Sequence, residues 1–120
     1  MVRDLRDRLM DIQVAATDIT AFVAGLTEEA FAALPLSDRR TYRAIKNATA
    51  EIGEAIKDLP AEILARHKAI DWRGFAGLRD VVAHQYFGLE LPRLWPTITD
   101  EVPILIAAVE AEIARLSRDC

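Results

Sequence analysis

Apolar and polar positions alternate along the chain with the period of amphipathic helices. In the first segment the apolar residues recur at alternating spacings of four and three, so they share one face of a helix that ends at Gly25. They are Leu5, Leu9, Ile12, Ala16, Ile19 and Val23. The stretch from 38 to 58 repeats the pattern, with Gly53 as a small interruption and Pro60 as its stop. The pattern predicts two long helices.

Capping residues and prolines predict short helices between the long ones. Thr27 is a suitable N-cap for a short helix that Pro35 ends, and Ser37 then caps the second long helix. Pro60 begins another short helix that runs toward His67. The connections are therefore brief helical segments.

The C-terminal third predicts two further helices. Asp71 is a suitable N-cap for a helix that ends at Gly88, where glycine fits a left-handed C-cap. After Leu91-Pro92 a short turn of helix through Leu94 and Trp95 leads to a last helix from about Asp100 to Leu116. No hairpin, βαβ pattern or internal repeat is present. Residues 1–120 are thus expected to form a single all-α domain, a helical bundle of four to five helices with short connectors.

Composition and charge narrow the function classes. The 120 residues are 52% hydrophobic with a formal net charge of -4, so no global positive field exists to hold a long run of nucleic-acid phosphates. Cys120 is the one cysteine, which excludes an internal disulfide framework. The charged N-terminus does not resemble a signal peptide, and no apolar run approaches the roughly 20 residues of a membrane span. We expect a cytoplasmic protein without a membrane contact.

One predicted helix concentrates the polar chemistry. Arg79, Asp80, His84 and Tyr86 fall within eight positions of the otherwise apolar segment 77–88. At about 100° per residue, Asp80 and His84 share a face, and Arg79 and Tyr86 share the neighbouring one. Histidine transfers protons near neutral pH, and arginine offers a fork of donors to a phosphate. An RNA strand carries its own nucleophile in the 2′-hydroxyl, so cleavage by this strip requires no metal or cofactor.

The residue types alone also leave non-catalytic interpretations open. Adjacent arginine and aspartate residues often form only a solvated ion pair, and a histidine beside apolar residues is often a packing residue. A purely structural, dimerising bundle is therefore a third interpretation beside catalysis and ligand binding. Glu51, Glu54 and Lys57 are interpreted as ordinary helix-face charges.

The sequence resembles the HepT-like branch of the HEPN superfamily. Arg79, four intervening residues, His84, one residue and Tyr86 match the Arg-x4-His-x-Tyr signature of that family. The segments around it are also similar, from Asp71 to Asp80, at Leu94-Trp95 and from Ile52 to Pro60, and the resemblance extends from about residue 8 to about residue 116. It implies a HEPN-like helical homodimer in which the motifs of two subunits meet at a metal-independent RNA-cleaving site.

The resemblance also implies roles and partners. Arg79 is expected to bind phosphate, His84 to act as general acid or base, and Asp80 to orient them. The implied protein is a ribonuclease toxin restrained by a minimal nucleotidyltransferase antitoxin, which in part of the family transfers AMP to the motif tyrosine, here Tyr86. The alternative is a non-catalytic HEPN module that binds a nucleotide or the nucleotidyltransferase through the same strip.

Overall fold

The computed structural model of the chain describes residues 4–84 and 87–118. Within these ranges, it describes the side chains of all residues except 83–90. The described residues form seven α-helices and a π-helical turn, with no strand among them. The helices are α1 (Leu5–Val23), α2 (Glu28–Ser37), α3 (Arg39–Lys57), α4 (Ala61–Arg66), α5 (Trp72–His84), α6 (Phe87–Pro96) and α7 (Val102–Arg118). The turn, Thr97–Glu101, leads into α7. The all-α, HEPN-like bundle with short connectors is confirmed.

Side-chain caps fix where several helices begin. Thr27 Oγ1 accepts from the amide of Ala30 at 3.1 Å, as the sequence predicts. The cap of α3, in contrast, is Asp38, whose Oδ1 accepts from the amide of Thr41 at 3.1 Å. The prediction of Ser37 as this cap is wrong because α2 continues past Pro35 to Ser37. A proline close to the C-terminal end removes only one helical hydrogen bond there.

The C-terminal third differs from its predicted boundaries. Helix α5 ends at His84, and Gly88 lies within α6 instead of capping the motif helix. Glycine also adopts helical backbone angles, so it does not by itself end a helix. The predicted connector around Leu94 and Trp95 is the second half of α6. The last helix begins at Val102 because the π-helical turn precedes it.

The hydrophobic core lies between α1, α3 and α7, and α5 packs on the outer side of α3. Its fully buried side chains include Leu9, Ile12, Ile45, Ile52 and Leu105. Helices α2 and α6 close one end, where the rings of Phe31 and Trp95 lie 5.1 Å apart between centroids in a tilted arrangement. The side chain of Phe75 is buried in the core, and that of Trp95 packs against it.

A buried carboxylate joins the connector after α4 to α7. Glu112 is 4% exposed, and its carboxylate accepts two hydrogen bonds from Arg66, at 2.6 and 3.0 Å. Nε2 of His67 lies 2.7 Å from the same carboxylate. The hydrogen bonds from Arg66 lower the pKa of Glu112 from its ordinary value to about 2. This cluster fixes the connector that leads into α5.

No single described helix is long and apolar enough to cross a membrane. Helices α1 and α2 meet the length and composition requirement only as a pair, and that pair is bent by 96°.

We expect Glu112→Gln to lower the free energy of unfolding by about 2 kcal/mol at pH 7, because the charge-assisted hydrogen bonds from Arg66 are weakened. The pKa of Glu112 is lower in the folded state than in the unfolded chain. Its stabilisation is therefore complete above about pH 4.5 and is lost as the pH falls toward 2. The difference between wild type and variant should shrink by more than half between pH 7 and pH 3.

Urea unfolding followed by circular dichroism measures this difference. Glu110→Gln is the matched control, since Glu110 is an exposed carboxylate on the same helix. A Glu112→Gln difference that stays constant from pH 7 to pH 3 would show that this carboxylate does not control acid stability.

Candidate active site

The motif helix α5 is held at its start by two hydrogen bonds. Asp71 Oδ1 accepts from the amide of Gly74 at 3.0 Å, which confirms Asp71 as the N-cap. The indole Nε1 of Trp72 donates to the carbonyl oxygen of His67 at 3.1 Å. Phe75, one turn into the helix, is 3% exposed and anchors α5 in the core. The polar residues that follow therefore project from a fixed helix.

Helix α5 approaches α3 most closely at Gly53. A Cβ atom on Gly53 would lie 2.9 Å from the backbone nitrogen of Arg79 and 3.1 Å from the carbonyl oxygen of Phe75. Real Cβ atoms essentially never come within 3.0 Å of such an atom, and here the neighbours are backbone atoms that cannot rotate away. The absence of a side chain at Gly53 thus sets the distance between the two helices beside Arg79.

Arg79 lies at the surface of this contact. Its Nε is 2.6 Å from Oε2 of Glu54, and the two side chains are 51% and 58% exposed. An ion pair this exposed contributes little to stability, because water screens it and both side chains lose rotamer freedom. The guanidinium is accordingly accessible to a phosphate, which must share it with Glu54 or replace Glu54.

Asp80 makes the second charged contact between the two helices. Its Oδ1 lies 3.7 Å from Nζ of Lys57. The four charged side chains therefore form two ion pairs between α3 and α5, Arg79 with Glu54 and Asp80 with Lys57. The sequence interpretation treated Glu54 and Lys57 as ordinary helix-face charges. The signal that points to them is Gly53, a residue that permits close packing, which directly precedes Glu54 and lies about one helical turn before Lys57.

The remaining predicted site residues lie at the end of α5. His84 is its last residue, five positions and about 7.5 Å along the axis from Arg79. The side chain of His84 and the whole of Tyr86 fall outside the described residues. The predicted contact between Asp80 and His84 stays a prediction for the same reason.

An acidic groove borders the site on the other side of α3. It has a volume of about 430 Å³ and is lined by Arg8, Asp11, Glu51, Glu54, Ala55 and Asp58. Arg8 forms an ion pair with Asp58 across it. In the described part of the chain no three His, Cys, Asp or Glu residues are grouped so that they could hold a metal ion. Glu54 thus separates a negative surface from the guanidinium of Arg79.

The family model of HepT-like ribonucleases matches residues 12–112. The chain belongs to the HepT-like ribonuclease family. The matched range contains both sides of the α3–α5 contact and all three defined residues of the Arg-x4-His-x-Tyr motif. The resemblance noted in the sequence is confirmed.

Curated relatives support the same assignment. A protein of Methanocaldococcus jannaschii, provisionally named an RNase, is 33% identical over 108 residues, which cover 90% of this chain and 86% of the relative. A protein of Thermococcus cleftensis, provisionally named ribonuclease HepT, is 36% identical over 88% of this chain and 92% of its own length. A third, from Caldanaerobacter subterraneus subsp. tengcongensis and provisionally named an RNase, is 37% identical over 69% of this chain and 70% of its own. No solved structure matches significantly.

We expect Gly53→Ala to destabilise the protein by about 1–3 kcal/mol, because the added methyl group collides with the backbone of α5 and forces the helices apart. Gly77→Ala is the matched control within α5. A Cβ there meets no atom within 4 Å, so the change should stabilise the helix by up to about 1 kcal/mol through helix propensity alone.

Urea unfolding of the two variants tests this expectation. Equal effects of the two substitutions would contradict a close-packing role for Gly53.

Proposed function

We propose that this HepT-like protein is a metal-independent endoribonuclease, acts as a homodimer, and is the toxin of a toxin–antitoxin pair whose antitoxin is a nucleotidyltransferase. The observation that supports it most is the exposed guanidinium of Arg79, held on a fixed helix that also carries Asp80 and ends at His84. A cytoplasmic location agrees with this proposal, since RNA is the substrate.

The proposed reaction uses the nucleophile of the substrate. The 2′-hydroxyl oxygen of one nucleotide attacks the adjacent phosphorus while a base removes its proton, and the bond to the 5′-oxygen of the next nucleotide breaks as an acid protonates that oxygen. The products are a 2′,3′-cyclic phosphate and a 5′-hydroxyl. In this proposal Arg79 stabilises the charge on the phosphorane oxygens, and His84 transfers the protons.

The need for a base and an acid favours a dimer. The chain has two histidines, His67 and His84. The ring of His67 is already engaged with the buried carboxylate of Glu112. A second copy of the chain would supply a second His84, so that one imidazole accepts a proton while the other donates one. Half-exposed Arg79 is open to such a composite site.

The nucleotidyltransferase partner would silence the site through Tyr86. Tyr86 follows Arg79 by seven positions in the sequence. AMP attached to this tyrosine would bring an anionic phosphate near Arg79, where it competes with RNA for the guanidinium.

We expect purified, unmodified protein to cleave end-labelled RNA in excess EDTA and to leave 2′,3′-cyclic phosphate ends. Arg79→Ala and His84→Ala should each reduce the rate at least about 100-fold, because charge stabilisation and proton transfer each contribute on that scale. Arg73→Ala is the matched control, since Arg73 is an exposed arginine on the same helix.

Circular dichroism establishes that each variant is folded. Intact RNA after incubation with unmodified wild type, under EDTA and with added divalent metal, would exclude the ribonuclease and leave the nucleotide- or partner-binding module. Cleavage that appears only with added metal would exclude the metal-independent mechanism.

We expect expression without the partner to stop bacterial growth, and co-expression with the cognate nucleotidyltransferase to restore growth and add the mass of AMP to the chain. Tyr86→Phe should abolish the added mass. Tyr42→Phe should not, and it is the matched control because the chain has two tyrosines. Harmless expression at high level would contradict the assignment of the protein as a toxin. Added AMP mass on the Tyr86→Phe variant would contradict the assignment of Tyr86 as the acceptor.

A further inference from the structure

Three basic side chains follow one face of the N-terminal half of α3. Arg39, Arg43 and Lys46 are spaced by four and three residues, and we call them the basic strip. They line one groove of about 650 Å³, whose other lining residues are Pro35, Leu36 and Tyr42. None of the described residues that line this groove carries a carboxylate.

The charges of the basic strip are not neutralised within the described part of the chain. No carboxylate described there lies within 4 Å of Arg39, Arg43 or Lys46, whereas Arg79, Lys57 and Arg8 each pair with one. What distinguishes these three cations is that they line one groove together. Arg39 and Arg43 are exposed and Lys46 is half-buried, so all three are accessible to an anion.

The basic strip is aligned with the candidate active site. Eleven residues make three helical turns plus about 20°, so Glu54 lies nearly in line with Arg43, and Lys57 nearly in line with Lys46. Glu54 and Lys57 are the residues of α3 that contact Arg79 and Asp80. Along the helix axis, Lys46 is about 12 Å and Arg39 about 22 Å from Glu54. The strip therefore leads away from Arg79 in one direction.

The charges beside the two halves of α3 favour one direction for a polyanion that extends from Arg79. The groove beside the C-terminal half is lined by four carboxylates and one cation, Arg8, whereas the groove beside the N-terminal half is lined by three cations. A polyanion that reaches Arg79 is repelled by the first groove and attracted by the second. Leu36, which is 94% exposed, and the half-buried ring of Tyr42 offer apolar contact beside the cations.

We propose that the basic strip binds the phosphates of the RNA strand on one side of the bond to be cleaved, so that several nucleotides lie along α3. The inference rests on the proposed ribonuclease function and gives its substrate a direction. Single-stranded RNA fits because its flexible backbone can follow cations that are spaced along one helix, and its bases can contact the apolar residues beside them.

Binding is tested with 2′-O-methyl RNA, which lacks the attacking hydroxyl and cannot be cleaved. Fluorescence anisotropy at several KCl concentrations compares a 12-nucleotide and a 4-nucleotide strand. We expect Arg39→Ala/Arg43→Ala/Lys46→Ala to bind the long strand at least about tenfold more weakly at low salt. For this variant, the slope of log affinity against log salt concentration should be less steep by about 2, since each lost phosphate contact reduces the slope by about 0.7. The advantage of the long strand over the short one should largely disappear.

Two further triple variants control for net charge and for folding. Arg6→Ala/Lys68→Ala/Arg118→Ala removes three exposed charges that do not line the groove, and it should bind like wild type. Arg39→Lys/Arg43→Lys/Lys46→Arg keeps the charges of the strip and should retain most of the affinity.

The readout separates this inference from the proposed function. Wild type that binds the uncleavable strand through the strip but leaves natural RNA intact would exclude the ribonuclease and keep the strip as an RNA site. If the wild type cleaves RNA, and the Arg39→Ala/Arg43→Ala/Lys46→Ala variant binds and cleaves it as well as the Arg6→Ala/Lys68→Ala/Arg118→Ala control does, the inference about the basic strip is wrong. The proposed ribonuclease function would still stand. Unchanged RNA affinity with lost capture of the nucleotidyltransferase would assign the strip to a protein partner and would also overturn it.

Discussion

The close approach of α3 and α5 at Gly53 is the constraint on which the candidate site depends. A side chain at this position would meet the backbone of α5 at the nitrogen of Arg79, so the helix spacing there is fixed by the absence of a Cβ atom. The same spacing brings Glu54 to Arg79 and Lys57 to Asp80. The four charged side chains therefore face one another across a contact whose width depends on one glycine.

A second anchor holds the other end of the motif helix. Glu112 fixes Arg66 and His67 against α7, and the carbonyl oxygen of His67 accepts the indole hydrogen bond of Trp72 at the start of α5. The helix is thus secured at its beginning by a buried charge cluster and in its middle by backbone packing. The functional groups can remain half exposed because the fold does not depend on their pairing for stability.

The sequence predicted the features that local patterns determine. Helical periodicity gave the bundle, and cap chemistry gave Thr27 and Asp71. It placed Arg79 and Asp80 on the motif helix, as the structure does. It did not predict that α2 passes through Pro35 or that Gly88 lies inside a helix, because neither a proline near a helix end nor a single glycine ends a helix by itself. The pairing of Glu54 with Arg79 depends on which helices are neighbours, and periodicity within one helix does not contain that information.

A net charge of -4 opposes the binding of a polyanion, but the charge is distributed unevenly. At physiological salt, interactions between exposed charges fade beyond about 8 Å, so a phosphate senses the groove it occupies more than the whole molecule. The acidic groove and the basic strip lie on the two halves of the same helix, and Arg79 is paired at the acidic end. Glu54 pairs with that guanidinium, so in the proposed reaction an RNA phosphate has to displace it. Under the proposal, strands that also engage the strip are favoured, because a lone phosphate would compete with Glu54 without that additional attraction.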